Sequence, residues 1–301
     1  MMKPTPKGVF AAALTPLTAD GALDLDGVLP YMDFLAKRGC HGTLLFGTTG
    51  EGPSFSARQR VELIKVACEI TRTHPEFTLL MGTGTPSLDE TIALSRAAFD
   101  HGMHGVVVLP PYFVRSAGEE GLFAWFGEVI RKAVPKDGYL LAYHIPQMTG
   151  MHMTLELFDR LKEAFPGQFV GLKNSWTEAA FARSLGERFR SDLTIMAGFD
   201  NLLQLNLSLG GSGCITASAS VISPVLRKMW DQTQRGEDTS ATHAELERIR
   251  GVMDKYPPAP ALLKGLIAEW HGFPRWNVCP PLVAMKDDVI EKAAEELGGP
   301  F

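Results

Sequence analysis

No two of the four cysteines stand close together: Cys40, Cys68, Cys214 and Cys279 form no Cys-x-x-Cys pair, so neither a zinc-site spacing nor a disulfide framework is indicated. Such thiols suit a reducing cytoplasm. There is no block of like charge either, and the formal net charge of −5 lacks the basic footprint of a nucleic-acid binder. The expected partner is a small molecule. Long hydrophobic runs are absent too: the apolar stretch at residues 9–14 is short and closes in Thr15-Pro16, unlike a secretory leader, and no later segment approaches a membrane span. A cytoplasmic protein away from the membrane is expected. Histidines number eight, yet no His-Glu-x-x-His or comparable ligand set exists. The pair His101 and His104 falls just before an expected strand, at the wrong end for chemistry, and no metal is expected.

What is present is ample apolar material, 45% of 301 residues against 21% charged, enough for a large core and within the range of one α/β barrel. Short apolar runs at residues 9–14, 42–46, 78–82, 105–109, 139–145, 169–173, 193–197 and 213–216 alternate with longer amphipathic segments. Near-continuous apolarity fits strands buried on both faces, although each run by itself also fits a piece of buried helix. The intervening segments carry helix-start chemistry. Ser56-x-x-Gln59 and Ser87-x-x-Glu90 read as capping boxes, and Thr154 and Ser223 as N-caps. Eight β-then-α rounds favour a closed (β/α)8 TIM barrel over an open doubly wound sheet. After Arg235 helix follows helix, at residues 239–254, 260–271 and 281–297. The expected organisation is a barrel over residues 1–235 and a three-helix C-terminal extension over 236–301, packed on the barrel or forming a small domain of its own.

Barrel chemistry gathers at the C-terminal ends of strands. Lys173 closes the run Phe169-Val170-Gly171-Leu172, which sets its ammonium in an apolar interior, where desolvation favours the neutral, nucleophilic amine. Position alone also allows, and more readily, a lysine that snorkels to solvent. The turn Gly47-Thr48-Thr49-Gly50-Glu51-Gly52 offers hydroxyls and backbone N–H groups to a carboxylate or phosphate; it is not a P-loop, and a plain βα turn also accounts for it. Of only five tyrosines, Tyr112 and Tyr143 fall at strand ends, as proton-relaying phenols or as half-buried capping rings. If Tyr143 points inward, strand alternation turns His144 outward into a structural role.

Taken together, these strand ends resemble the family of dihydrodipicolinate synthase, N-acetylneuraminate lyase and the 2-keto-3-deoxygluconate aldolases. The landmarks are Gly47-Thr48-Thr49-Gly50-Glu51, Gly82-Thr83-Gly84, Pro111-Tyr112, Tyr143-x-Ile145-Pro146 with Thr149-Gly150, Gly171-Leu172-Lys173, and Gly198-Phe199-Asp200 with Gly210-Gly211-Ser212-Gly213. The resemblance implies a (β/α)8 barrel with three C-terminal helices, a homotetramer built from two tight dimers, and pyruvate chemistry without metal or organic cofactor. It assigns Lys173 as the Schiff-base lysine and Tyr143 as the proton-shuttling phenol. Thr48 would link that phenol to a second, Tyr112, which in the family reaches across the dimer interface. Gly47, Thr48 and Thr49 match the carboxylate loop and Ile215 the apolar contact to the pyruvate portion, while Ser175, Gly198, Asp200 and Thr216 fall where sugar-acid members touch the rest of the substrate.

One departure bears on substrate. Where dihydrodipicolinate synthase carries an arginine for the aldehyde partner's carboxylate, this chain has Met148, and a lost charge-assisted bidentate contact forfeits about 2–3 kcal/mol. The expected reaction is therefore reversible cleavage of a 2-keto-3-deoxy sugar acid, or a related 4-hydroxy-2-keto acid, to pyruvate and an aldehyde. Dehydration or deamination through the same imine, dihydrodipicolinate synthesis, and an inactive keto-acid-binding barrel are the rival readings.

Overall fold

Eight parallel strands close into a barrel in chain order in the computed structural model, which describes residues 5–190 and 192–301. They are β1 (Gly8–Ala12), β2 (Gly42–Leu45), β3 (Thr78–Gly82), β4 (Gly105–Val108), β5 (Tyr139–His144), β6 (Phe169–Asn174), β7 (Thr194–Ala197) and β8 (Gly213–Thr216). Each expected run is a strand, with ends shifted by at most two residues. Among the described residues no helix is long and apolar enough to cross a membrane.

The chain forms two compact units. One is built on Thr78–Cys214 and carries α3 (Leu88–Asp100), α4 (Glu119–Ala133), α5 (Pro146–Thr149), α6 (Leu155–Ala164), α7 (Ala179–Phe189) and α8 (Leu203–Ser208). Its helices follow amphipathic logic. In α4 the buried set Leu122, Phe126, Val129 and Ile130 recurs at helical spacing, and each such side chain contributes about 1.5–3 kcal/mol on burial. Glu119 and Glu120 in its first turn, with Arg131 and Lys132 in its last, complement the helix dipole. Ser87 accepts from the Glu90 N–H at 3.3 Å, the N-cap half of the expected capping box, and Thr154 accepts from the Leu157 N–H at 3.1 Å as the expected N-cap.

The second unit holds Gly8–Phe77 with Ile215–Phe301: β1, β2, α1 (Val28–Lys37), α2 (Ala57–Ala67), α9 (Ala219–Gln234), α10 (Ser240–Met253), α11 (Ala259–His271) and α12 (Asp287–Leu297). Ser56 and Gln59 form the complete capping box at the head of α2. Two expectations are corrected. Ser223 does not open α9, which begins at Ala219; the helix kinks at Ile222, and Ser223 with Pro224 starts its straight part, where a missing proline N–H costs little. The last helix starts at Asp287 rather than at 281, because Asp287 and Asp288 put negative charge on its exposed first-turn N–H groups.

Candidate active site

In the first unit the register of β5 on β6 decides which side chains meet. Leu140 pairs with Phe169 but Leu141 with Gly171, so Val170 is skipped in a β-bulge. Without that extra residue Tyr143 would face Leu172; with it, Tyr143 pairs with Lys173 and His144 with Asn174. Gly171 makes the bulge possible, since its φ is +150° and a Cβ there would lie 2.0 Å from the Thr194 carbonyl oxygen. The consequence is chemical. Lys173 Nζ donates to Tyr143 Oη at 3.2 Å and lies 4.3 Å from the centroid of its ring, with both side chains buried. The snorkelling alternative is thereby excluded, since Lys173 is only 3% exposed. Among the described residues no carboxylate stands within ion-pair distance of Lys173.

On the opposite face of the same pair of strands, His144 Nδ1 lies 3.1 Å from Asn174 Oδ1, which also accepts from the Trp176 N–H. That arrangement makes Nδ1 the protonated nitrogen. His144 is packed among His152, Phe158, Trp176 and Phe181, and burial pushes its pKa down to about 4 despite the Asn174 bond. It is a structural residue, neutral at physiological pH.

Ser175 follows β6, and its N–H donates to the His144 carbonyl at 2.8 Å. Gly198, after β7, lies so close that a Cβ would sit 1.8 Å from Ser175 Oγ, so these two expected substrate contacts are brought together. Asp200 is buried at the start of a 3-10 turn. Met148 lies on the one-turn helix α5 and is 61% exposed. Tyr112 is half-buried in the loop after β4, where its carbonyl accepts from Arg115 Nε at 3.4 Å. The His101 and His104 pair precedes β4, and His104 Nδ1 accepts from the Leu79 N–H at 3.1 Å, a strand-end contact. Among the described residues no group of three or more His, Cys, Asp or Glu side chains is arranged to hold a metal ion.

In the second unit the turn after β2 is tightly built. Phe46 and Glu51 both have φ of +54°, the left-handed region that side chains rarely adopt. Between them the Glu51 N–H donates to the Thr48 carbonyl and the Gly52 N–H to the Gly47 carbonyl, each at 3.1 Å, and Thr15 Oγ1 donates to the Gly50 carbonyl at 2.6 Å. Gly47 and Thr49 are buried while Thr48 is exposed. In the same unit Ile215 and Thr216 are buried, and Thr216 Oγ1 is 3.3 Å from Ser218 Oγ.

Two polar elements were missed from sequence. Gln147 Nε2 donates to the Ser175 carbonyl at 2.6 Å, tying α5 to the end of β6. Glu51 pairs with Lys264 in the second unit, both side chains 1% exposed and 2.6 Å apart. A signal for the latter existed, because Lys264 is the one charged residue in the otherwise apolar stretch Ala-Leu-Leu-Lys-Gly-Leu-Ile at residues 261–267.

A model of the dihydrodipicolinate synthetase family matches residues 5–298 of the chain. An uncharacterized DapA-like lyase of Chloroflexus aurantiacus is 34% identical over 286 residues, 95% of this chain and 94% of its own. A 4-hydroxy-tetrahydrodipicolinate synthase of Methanosarcina barkeri is 28% identical over 295 residues, 97% of each chain. Among solved structures, a prophage protein of Escherichia coli K12 that belongs to the dihydrodipicolinic acid synthase family, in complex with pyruvate, superposes with a TM-score of 0.89 at 25% identity, over 97% of this chain and 98% of that one.

Proposed function

The chain belongs to the dihydrodipicolinate synthetase family, a family of Schiff-base lyases and aldolases, and on that premise we propose that it reversibly cleaves a 2-keto-3-deoxy sugar acid or a related 4-hydroxy-2-keto acid to pyruvate and an aldehyde. The observation that carries the reading is the buried pair of Lys173 and Tyr143, an amine and a phenol 3.2 Å apart.

The amine of Lys173 adds to the C2 carbonyl, and the Tyr143 phenol gives its proton to the departing hydroxyl, which leaves as water; an iminium that serves as an electron sink and a Tyr143 phenolate remain. Tyr143 takes the proton of the C4 hydroxyl, the C3–C4 bond breaks, its electron pair moves to the iminium, and an aldehyde departs. Protonation of the enamine at C3 and hydrolysis of the imine then release pyruvate and restore the lysine. By match to the family pattern, Thr48 and Tyr112 assist the Tyr143 proton transfer, Gly47, Thr48 and Thr49 hold the carboxylate, Ile215 touches the pyruvate portion, and Ser175, Gly198, Asp200 and Thr216 receive the remainder of the substrate. No cofactor enters this scheme, and the proposed working form is a cytoplasmic homotetramer.

Met148 argues for a sugar-acid substrate, since a thioether offers nothing to a second carboxylate. The synthase-named relative keeps condensation with aspartate semialdehyde as the second reading. Borohydride reduction in the presence of pyruvate tests the common step: a stable adduct is expected on Lys173 and none in Lys173→Met, whereas an unaltered chain without adduct would make the protein a binder at most. Offering pyruvate with polyhydroxy aldehydes or with aspartate semialdehyde then separates the two substrates, and faster turnover of the semialdehyde would overturn the sugar-acid reading.

A further inference from the structure

The charged pair inside the second unit is an unusual investment of polar groups. Lys264 Nζ donates to Glu51 Oε1 at 2.6 Å and to the Asn277 carbonyl at 2.5 Å, while Glu51 Oε2 accepts from the Cys279 N–H at 2.6 Å. Withdrawing two charges from water is costly, and an apolar pair of similar volume usually stabilises a fold as well or better. What an apolar pair cannot supply is direction. Glu51 ends the turn that begins at Phe46, and its backbone sits in the left-handed region, an arrangement that persists only where the surroundings enforce it. Three backbone-directed hydrogen bonds and the close approach of Gly52 to the Phe46 carbonyl, where a Cβ would lie 2.2 Å from the oxygen, stiffen the segment. A displacement of Glu51 therefore moves Thr48 and Thr49 with it rather than being absorbed between them.

We propose that Lys264 is a positioning residue: by fixing Glu51 from α11, it holds the Gly47–Gly52 turn in the shape that receives the keto-acid carboxylate. The proposal rests on the Schiff-base reading given above and adds to it a residue remote in sequence that acts on substrate affinity rather than on the chemical step. The Asn277 and Cys279 backbone groups complete the anchor, so the segment after α11 takes part as well.

The test measures the pyruvate concentration that gives half-maximal borohydride adduct on Lys173, together with the adduct yield at saturating pyruvate. In Lys264→Met the half-saturating concentration is expected to rise tenfold or more, with the saturating yield within about twofold of the unaltered chain, because affinity and chemistry separate in this way when binding alone is impaired. Should Lys264→Met not fold, the uncharged double variant Glu51→Gln/Lys264→Met leaves no buried charge without a counter-ion and is expected to show the same rise. A half-saturating concentration equal to that of the unaltered chain, in either variant once it unfolds in one cooperative transition, overturns the positioning role and leaves the Schiff-base reading standing. Absence of adduct in the unaltered chain overturns both.

Discussion

Lys173 and Lys264 are both buried, 3% and 1% exposed, yet their surroundings differ in kind. Lys264 meets a carboxylate and a carbonyl oxygen, so its cation is locked in place and its proton has nowhere useful to go. Burial pushes its pKa down, with the Glu51 charge acting against that shift. Lys173, next to last in β6, lies beside a phenol, a group that can take a proton or give one. The lesson is that burial alone does not mark a reactive amine. The partner distinguishes the two: a carboxylate holds the Lys264 cation in place, whereas on the proposed Schiff-base reading the Tyr143 hydroxyl beside Lys173 is a group that exchanges protons during the reaction.

The comparison breaks most sharply at Lys173. Exchange of the pyruvate methyl protons with deuterated water, followed by NMR, passes through the enamine and needs no knowledge of the aldehyde. Lys173→Met is expected to lower this exchange at least ~10³-fold, since the covalent route is removed outright. Tyr143→Phe should slow it about 10²- to 10⁴-fold, the usual worth of a positioned acid–base group, while borohydride still captures an adduct on Lys173. Loss of adduct in Tyr143→Phe would show that the phenol orients the amine rather than moving protons.

Both lysines are visible in the sequence, but only one of the two environments is. The eight strands are legible because strands covered on both faces must read as unbroken apolar runs, and Lys173 and Tyr143 are recognisable as polar residues that close two such runs. Their contact is not legible: it depends on Val170 being skipped, a register choice made by β5 and by the space that Gly171 leaves at the Thr194 carbonyl. Lys264 advertises itself as a lone charge in an apolar helix, whereas Glu51 lies 213 residues away and no local pattern joins them. The start of α12 was misplaced for a related reason. Apolar periodicity does not mark where free N–H groups need an anion, and that requirement set the boundary at Asp287.

Stability separates the two lysines in the reverse order. Lys264→Met strands the Glu51 carboxylate in the interior, and a loss of about 3–5 kcal/mol is expected in denaturant unfolding at neutral pH. Lys173→Met removes an amine that has no carboxylate partner, so its unfolding midpoint should equal or exceed that of the unaltered chain, because the methionine escapes the desolvation cost of the amine. Equal losses in the two variants would erase the distinction between a paired and an unpaired lysine.

A third buried base, His144, sharpens the point with a smaller effect. Its folded pKa is lowered to about 4 from an ordinary 6.5, chiefly by burial, with the Asn174 bond opposing and the neighbouring His152 adding slightly to the drop. Above about pH 6.5 the ring is neutral in both folded and unfolded chains, so its contribution is then fully present. As the pH falls, the unfolded chain takes up a proton that the folded chain refuses, and stability declines until about pH 4, below which both forms are charged. The gap between 6.5 and about 4 corresponds to about 3 kcal/mol. Other groups titrate in this window, so the quantity to follow is the difference between the unaltered chain and His144→Phe. At pH 7 the phenylalanine variant should be less stable by about 1 kcal/mol for the lost Asn174 bond. That deficit should shrink and then reverse as the pH approaches 4, since phenylalanine has no proton to refuse. A difference that stays constant from pH 7 to 4 would mean that His144 takes up its proton as readily in the folded chain as in the unfolded one, and the buried face behind Lys173 and Tyr143 would then be a polar one.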